Sequence, residues 1–230
     1  MHKARWSFIK DFLTPEQCDN IVELGELFDR EEGRIPEFTP DGKKNPLLDS
    51  HRKCKIAWFT YDAAEALGVV DEIGRIYETI DSQFNSVLNV IGLHGLDIST
   101  REAFQYTEYF EGDHYGWHKD AHDEPYPYSL DEYGQAAHPY GGKIRKMSMS
   151  IFLNDLKEWE GGDLEIEDNW NWGPDHPWNR VQKFGPSDRY RGIKKGSAII
   201  FQSDTWHRVT RVTEGNRKSL VAWFVGDPYV

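Results

Sequence analysis

The spacing of apolar residues changes near residue 98, from helical intervals to alternation. Before that point, Ile21, Leu24, Leu27 and Phe28 recur one helical turn apart. They follow Thr14-Pro15-Glu16-Gln17, which reads as a helix start. Threonine caps, proline suits the first helical position, and Gln17 stands where a capping box places Glu or Gln. A longer stripe, Ala66, Val70, Ile73, Tyr77, Ile80, Phe84, Val87 and Ile91, predicts one helix over 62–90. Asp62 would cap it and Glu65 takes the box position, while Gly68 and Gly74 would break or loosen its first turns. Residues 6–12 and 51–59 are predicted strands. The segment 31–49 is polar, carries Gly33, Pro36, Pro40, Gly42 and Pro46, and reads as a loop.

From residue 98 onward the pattern is that of strands. Residues 104–110 are aromatic and contain threonine, 147–153 alternate, and Gly161-Gly162-Asp163-Leu164-Glu165-Ile166 turns into a further strand. Residues 197–202 and 219–225 complete the series. Strands joined by Gly-rich turns, after a helical region, predict an α+β chain whose C-terminal part is a β-sandwich or jelly roll. Two insertions interrupt it: 121–143, rich in Tyr, Pro and Gly, and 168–191, with Trp170, Trp172 and Trp178. Loops of that length are functional lids or disordered segments. No internal repeat or linker divides the chain.

Composition narrows the function. With 27 Lys and Arg against 39 Asp and Glu, the net charge of −12 makes a poor generic partner for phosphate backbones or anionic lipid. Cys18 and Cys54 are the two cysteines, and they read as reduced thiols of a cytoplasmic protein. The N-terminal residues lack the apolar core of a signal peptide, and no apolar run approaches membrane-spanning length.

Candidate chemistry concentrates in Tyr109-Phe110-Glu111-Gly112-Asp113-His114-Tyr115-Gly116-Trp117-His118-Lys119-Asp120. On a strand, His118 and Asp120 share one face, with Lys119 opposite. An imidazole and a carboxylate together supply two ligands of a 2-His-1-carboxylate facial triad, the donor set of non-haem Fe(II). A lone His-x-Asp carries little information in a chain with 9 histidines. It gains weight from His207 and Arg217 near the C-terminus. His114 and His118 have helical zinc spacing, but the glycines and aromatics around them disfavour a helix. His122 and His138 fall in the first insertion and read as solvated residues. Arg217, Ser219, Val221 and Trp223 share one strand face. A guanidinium there would match a carboxylate bidentately and stay charged when desolvated.

These residues together resemble the prolyl 4-hydroxylase-type 2-oxoglutarate/Fe(II) oxygenases. Phe12-Leu13-Thr14-Pro15-Glu16-Gln17-Cys18 is similar to that family's opening Phe-Leu-(Ser/Thr)-x-x-x-Cys. Tyr109-x-x-Gly112-x-x-Tyr115-x-x-His118-x-Asp120 resembles its Tyr-x-x-Gly-x-x-Tyr-x-x-His-x-Asp signature. Ile151-Phe152-Leu153-Asn154, Gly161-Gly162-Asp163-Leu164 and Gly196-Ser197-Ala198-Ile199-Ile200-Phe201 resemble later family strands, followed by His207 and then Arg217. The resemblance spans nearly the whole chain.

The resemblance implies a double-stranded β-helix with N-terminal helices packed outside, as a single domain. Residues 1–97 would form a helical support region and 98–230 the jelly-roll catalytic core. His118, Asp120 and His207 would hold Fe(II), and 2-oxoglutarate would chelate it through its keto and C1-carboxylate oxygens. Arg217 would take the far carboxylate, with Tyr109 and Ser148 beside the cosubstrate. Small side chains at Ser148 and Ser150 would leave it room. Tyr115, Arg145 and Trp223 would face the substrate. The implied reaction consumes O2, hydroxylates a prolyl residue exposed on a protein or peptide, and releases succinate and CO2, with ascorbate as reductant. An AlkB-like nucleic-acid demethylase and a non-catalytic jelly-roll binding module are the alternatives. The acidic charge and the absence of a basic stripe oppose the first, and the intact triad plus Arg217 opposes the second. Three departures from the family stand out: Arg217 where many collagen-type members have Lys, Phe152 where some have Tyr, and the Trp-rich insertion.

Overall fold

In the computed structural model the chain is described at residues 5–33, 51–91, 97–122, 124–128, 139–168, 180–188 and 191–229. Most of the 31–49 segment lies outside these described residues, as do His138, Trp170, Trp172, Trp178 and the side chain of Ile91.

The first half runs β1 (Trp6–Ile9), α1 (Pro15–Leu27), β2 (Glu31–Glu32), β3 (Arg52–Lys53), β4 (Lys55–Trp58), α2 (Tyr61–Leu67) and α3 (Val70–Ile91). Then come β5 (Thr100–Arg101), β6 (Gln105–Phe110), β7 (His114–His118), β8 (Ile144–Phe152), β9 (Trp159–Gly161), β10 (Leu164–Glu167) and β11 (Val181–Phe184). The chain closes with β12 (Ala198–Gln202), β13 (His207–Val209) and the long β14 (Val212–Gly226). Every pairing is antiparallel. The larger sheet has the order β1-β12-β8-β14-β6-β4-β2, with β5 and β9 also on β14; the smaller has the order β11-β10-β13-β7-β3.

Alternation along the central strands explains the layering. Tyr106, Met147, Met149, Ile151, Leu220, Ala222 and Phe224 point to one face of the larger sheet, where they join Ile21, Leu24, Ile73, Ile80 and Phe84 from α1 and α3. Phe84 stacks on Phe224 with ring centroids 3.5 Å apart. Burying each such side chain contributes about 1.5–3 kcal/mol. Tyr109, Phe152, Ile199 and Phe201 point the other way and meet Leu164, Ile166, Phe184 and Val209 of the smaller sheet. The result is the expected jelly roll, two sheets face to face with helices outside. The inner face also buries polar residues: Gln105, Thr107, Ser148, Ser150, Arg217 and Ser219. Polar groups in that position mark where the sandwich is not sealed by hydrocarbon. Among the described residues, no helix is long and apolar enough to cross a membrane.

Local signals account for several details. Thr14 caps α1, and the full capping box with Gln17 is formed. Leu27, counted in the apolar stripe, is 58% exposed because it faces away from the sheet at the helix end. The predicted helix over 62–90 is two helices. Thr60, not Asp62, caps the first, and Gly68 ends it at φ 71°, the left-handed region that favours glycine. Ala66 and Val70 flank that break and are exposed, whereas Gly74 is accommodated inside α3. The predicted strand 51–59 is also two strands. The chain crosses at Cys54 from β3 in the smaller sheet to β4 in the larger. The second insertion contains β11, paired with β10, so part of it is sheet.

Candidate active site

Cross-strand register brings the two distant histidines together. His207, first residue of β13, lies directly opposite His118, last residue of β7. Asp120 follows two residues later, beyond the end of the strand. The sequence reading placed it on the strand, but a turn delivers it instead: the N–H groups of Asp120 and Ala121 both donate to the Ser203 carbonyl at 2.9 Å. Asp120 Oδ1 then lies 3.7 Å from His118 Nε2, and Oδ2 lies 3.4 Å from His207 Nε2. One ligand atom from each residue falls within 4.8 Å of the others.

Backbone contacts set the imidazole tautomers. Nδ1 of His118 faces the Gly116 carbonyl at 2.8 Å, and Nδ1 of His207 faces that of Thr205 at 3.0 Å. Each carbonyl accepts a hydrogen bond from Nδ1–H, so both Nε2 atoms point at the Asp120 carboxylate and the space beside it. Burial, reinforced by His207, pushes the His118 pKa well below its ordinary value, so the ring stays neutral. Burial alone would raise Asp120, but His207, His118 and Arg145 outweigh it and hold the carboxyl down at about 2. Two imidazoles and one carboxylate on one side of a cavity form a donor set suited to a divalent metal with open positions.

Arg217 is 1% exposed and sits on β14 of the opposite sheet. Its Nη1 donates to Ser219 Oγ at 2.9 Å, while Nε and Nη2 have no partner among the described residues. The rings of Tyr109 and Phe152 lie 5.3 and 5.4 Å from the guanidinium carbon. Burial pushes its pKa down. Gly162 makes room for this side chain: a Cβ there would come within 3.3 Å of Arg217 Cδ and 2.9 Å of Val212. A buried guanidinium with two idle donors is costly unless an anion joins it.

A cavity of about 240 Å³ between the sheets connects these groups. His118, Asp120, His207 and Arg217 all line it, together with Tyr109, Tyr115, Arg145, Ser150, Ser219 and Trp223. Another hollow of about 220 Å³, between α1 and α3, touches none of them. Tyr115 stacks on His118 with centroids 3.5 Å apart. Trp223 carries the Arg145 guanidinium over its face at 4.1 Å, and its Nε1 has no partner among the described residues.

Two sequence-derived contacts change. Ser148 does not line the cavity. It sits behind the carboxylate, bonding Ser203 Oγ at 2.9 Å and the Asp120 side chain, while Ser150 faces the open space. Arg145 is not free to reach out, because Nε and Nη2 each donate to Glu102 at 2.6 Å and Nη1 to the Asp120 carbonyl at 3.4 Å. His114 lies on β7, so the helical zinc pairing does not arise. His122 is exposed at the cavity rim. Sequence reading missed Glu102, Ser203, Gln105 and Arg52. Arg52 gave no distinct signal, because Lys53 and Lys55 stand in the same strand-like run.

Comparison with known proteins follows the same lines. Residues 104–225 match the family model described as the 2OG-Fe(II) oxygenase superfamily. A PKHD-type hydroxylase of Alteromonas mediterranea is 29% identical over 119 residues, 51% of this chain and 41% of the relative. The PKHD-type hydroxylase YbiX of Escherichia coli is 24% identical over 160 residues, 67% of this chain and 57% of the relative. The matches thus span about half the length of those relatives. The viral collagen prolyl hydroxylase of Paramecium bursaria Chlorella virus-1, in its 2OG complex, superposes with a TM-score of 0.59 at 17% identity, covering 96% of each chain. A prolyl hydroxylase of Trichoplax adhaerens, in complex with a hypoxia inducible factor peptide fragment, gives 0.56 at 18% identity, covering 96% of this chain and 83% of that one. At these identities the likeness concerns the fold.

Proposed function

Because the chain belongs to the 2OG-Fe(II) oxygenase superfamily, we propose that it is a 2-oxoglutarate- and Fe(II)-dependent dioxygenase that hydroxylates a prolyl residue of a protein or peptide. His118, Asp120 and His207 hold the iron. Arg217 takes the distal carboxylate of 2-oxoglutarate. The observation that carries the reading is the pairing of an uncompensated buried guanidinium with a His-Asp-His donor set across one cavity.

When bound, iron and 2-oxoglutarate supply the oxidising chemistry, in which O2 yields succinate, CO2 and one hydroxyl group on the substrate. The chain's own residues do the positioning. The Gly116 and Thr205 carbonyls hold both imidazoles in the metal-binding tautomer. Ser148 and the Ser203 carbonyl fix Asp120. Arg217 and Ser219 orient the cosubstrate tail, Tyr109 flanks it, and Ser150 leaves it space. Tyr115 and Trp223 form aromatic walls suited to a proline ring, which projects from an extended backbone and has no N–H to satisfy. The peptide-bound Trichoplax neighbour supports a polypeptide substrate. Arg145, held by Glu102, shapes the wall through Trp223 instead of contacting substrate. Ascorbate serves as the reductant. Residues 98–230 supply most of the catalytic core, whereas 1–97, expected as a helical support, also contribute β1–β4 to the two sheets and Arg52 to the cavity. The two buried free thiols support a reducing compartment such as the cytoplasm.

The test is Fe(II) binding under anaerobic conditions, then O2-dependent succinate release with proline peptides, their Pro→Ala controls and methylated nucleobases. Wild-type protein should bind iron and oxidise proline peptides alone. Full iron affinity in the Asp120→Ala/His207→Ala double variant would overturn the metal assignment. Oxidation of the Ala controls or of nucleobases would overturn the prolyl one.

A further inference from the structure

Within that reading, on which this step rests, we propose that Arg52 determines specificity by receiving a carboxylate of the substrate beside the metal centre. The natural substrate then carries an acidic group close to the carbon that is hydroxylated.

Arg52 lies on β3, paired with Tyr115 of β7. Its guanidinium sits over the Tyr115 ring at 4.6 Å, and the same ring stacks on His118. The side chain lines the cavity that holds the triad. Its partners are both neutral: Nη2 donates to Gln105 Oε1 at 2.8 Å and Nε to Cys54 Sγ at 3.2 Å. Among the described residues, no carboxylate pairs with it. That is unusual in a chain with 39 acidic residues against 27 basic ones. Arg30, Arg101, Arg145, Arg191 and Arg208 all have an acidic partner.

Charge bookkeeping at the loaded site points the same way. The iron dication and the 2-oxoglutarate dianion cancel, Arg217 offsets Asp120, and Arg145 is neutralised by Glu102. Arg52 remains as one positive charge facing the substrate space. It is also partly exposed, whereas Arg217 is closed off. The enclosed cation with idle donors suits the small cosubstrate, and the accessible one suits a group arriving later from outside. A guanidinium over an aromatic face, with planar donors unoccupied by acid, is well formed to take a carboxylate.

The carboxylate has two possible sources, an acidic side chain next to the proline or a free chain terminus, and the test separates them. Full-length protein is loaded with Mn(II) and 2-oxoglutarate, and peptide binding is followed by tryptophan fluorescence. One peptide pair differs only as Glu or Gln beside the proline. The other ends in proline as a free acid or as an amide. Wild type should bind the acid member of one pair roughly ten- to hundredfold more tightly, as expected of a charge-assisted hydrogen bond. Arg52→Gln should erase that preference, Arg52→Lys should keep part of it, and both should retain wild-type affinity for 2-oxoglutarate. The proposal is overturned if wild type shows no acid preference or binds no acid-bearing peptide. It is equally overturned if the preference survives in Arg52→Gln, or if that variant loses 2-oxoglutarate instead. Failure of wild type to bind 2-oxoglutarate would overturn the underlying reading and is seen before any peptide is added.

Discussion

Arg217, which is buried, and His118, which is largely so, have energetics that make the site testable one residue at a time. With two guanidinium nitrogens idle, Arg217 gains most when a carboxylate arrives. Arg217→Ala should weaken 2-oxoglutarate binding by ~1.5–3 kcal/mol in calorimetry on the Mn(II)-loaded protein. Arg217→Lys should be milder but not neutral, since an ammonium cannot pair bidentately. Unchanged affinity in Arg217→Ala would place the carboxylate elsewhere. His118 gives a pH signature. Its folded pKa is depressed below the ordinary 6.5, so the unfolded chain binds a proton there that the folded one refuses. Stability of the metal-free protein should therefore fall as pH drops from about 6.5, and the loss should level off at the folded pKa. Asp120, ordinarily 3.8 and about 2 when folded, adds stability that is lost only as pH falls between those values. Urea unfolding of chelator-treated protein should show the first slope, and His118→Gln should flatten it. The triad was legible because His118 and Asp120 stand two residues apart and their chemistry is restrictive. Arg52 and Glu102 were not, because they reach the site through the β3–β7 pairing and the Arg145 ion pair, which local sequence does not encode. Ser148 was expected beside the cosubstrate and lies behind Asp120, because alternation gives a side chain's face but not its depth.

Elements whose signals are local were the ones the sequence revealed. Helix α1 has its cap, its proline and its buried stripe in consecutive residues, and all operate in the structure. Thr14→Ala should cost about 1 kcal/mol in chemical denaturation, the usual loss for a threonine N-cap. Gly25 is a different kind of determinant. A Cβ there would fall 2.6 Å from the Tyr106 ring, so Gly25→Ala should force α1 off the sheet and cost roughly 1–3 kcal/mol. A stability change near zero would mean that the helix shifts freely. Strands β8 and β14 were legible because they are long, with 9 and 15 residues, and alternate across a buried sheet. The smaller sheet was harder to see. Its β3 and β13 have 2 and 3 residues, too few to show a period, and their partners supply the register. The split of the predicted long helix turned on Gly68 adopting a left-handed cap: the glycine marked a place to break or loosen, but the apolar stripe, continuous on both sides, did not decide between the two.

At the scale of the molecule, the candidate site divides between the two sheets, and this makes ligand binding and stability one problem. His118 and His207 belong to the smaller sheet, whereas Arg217 belongs to the larger. A metal alone would tie β7 to β13 within one sheet. A 2-oxoglutarate that reaches both the metal and Arg217 would tie the sheets to each other. Its binding should then depend on the metal, and by linkage the metal should bind more tightly in its presence. Each ligand at about 100 times its Kd should stabilise the fold by ~2.7 kcal/mol, which for a chain of this size raises Tm by roughly 5–10 °C. Melting curves should therefore rise in two steps, first with Mn(II) and again with 2-oxoglutarate, and 2-oxoglutarate without metal should add little. Arg217→Ala should keep the first step and lose most of the second, because its metal ligands are intact. His207→Ala should lose both, because the chelated end of the cosubstrate has nothing to hold. If 2-oxoglutarate stabilised the metal-free protein as much as the loaded one, Arg217 and the triad would be serving separate ligands, and the shared cavity between the sheets would not be a single active site.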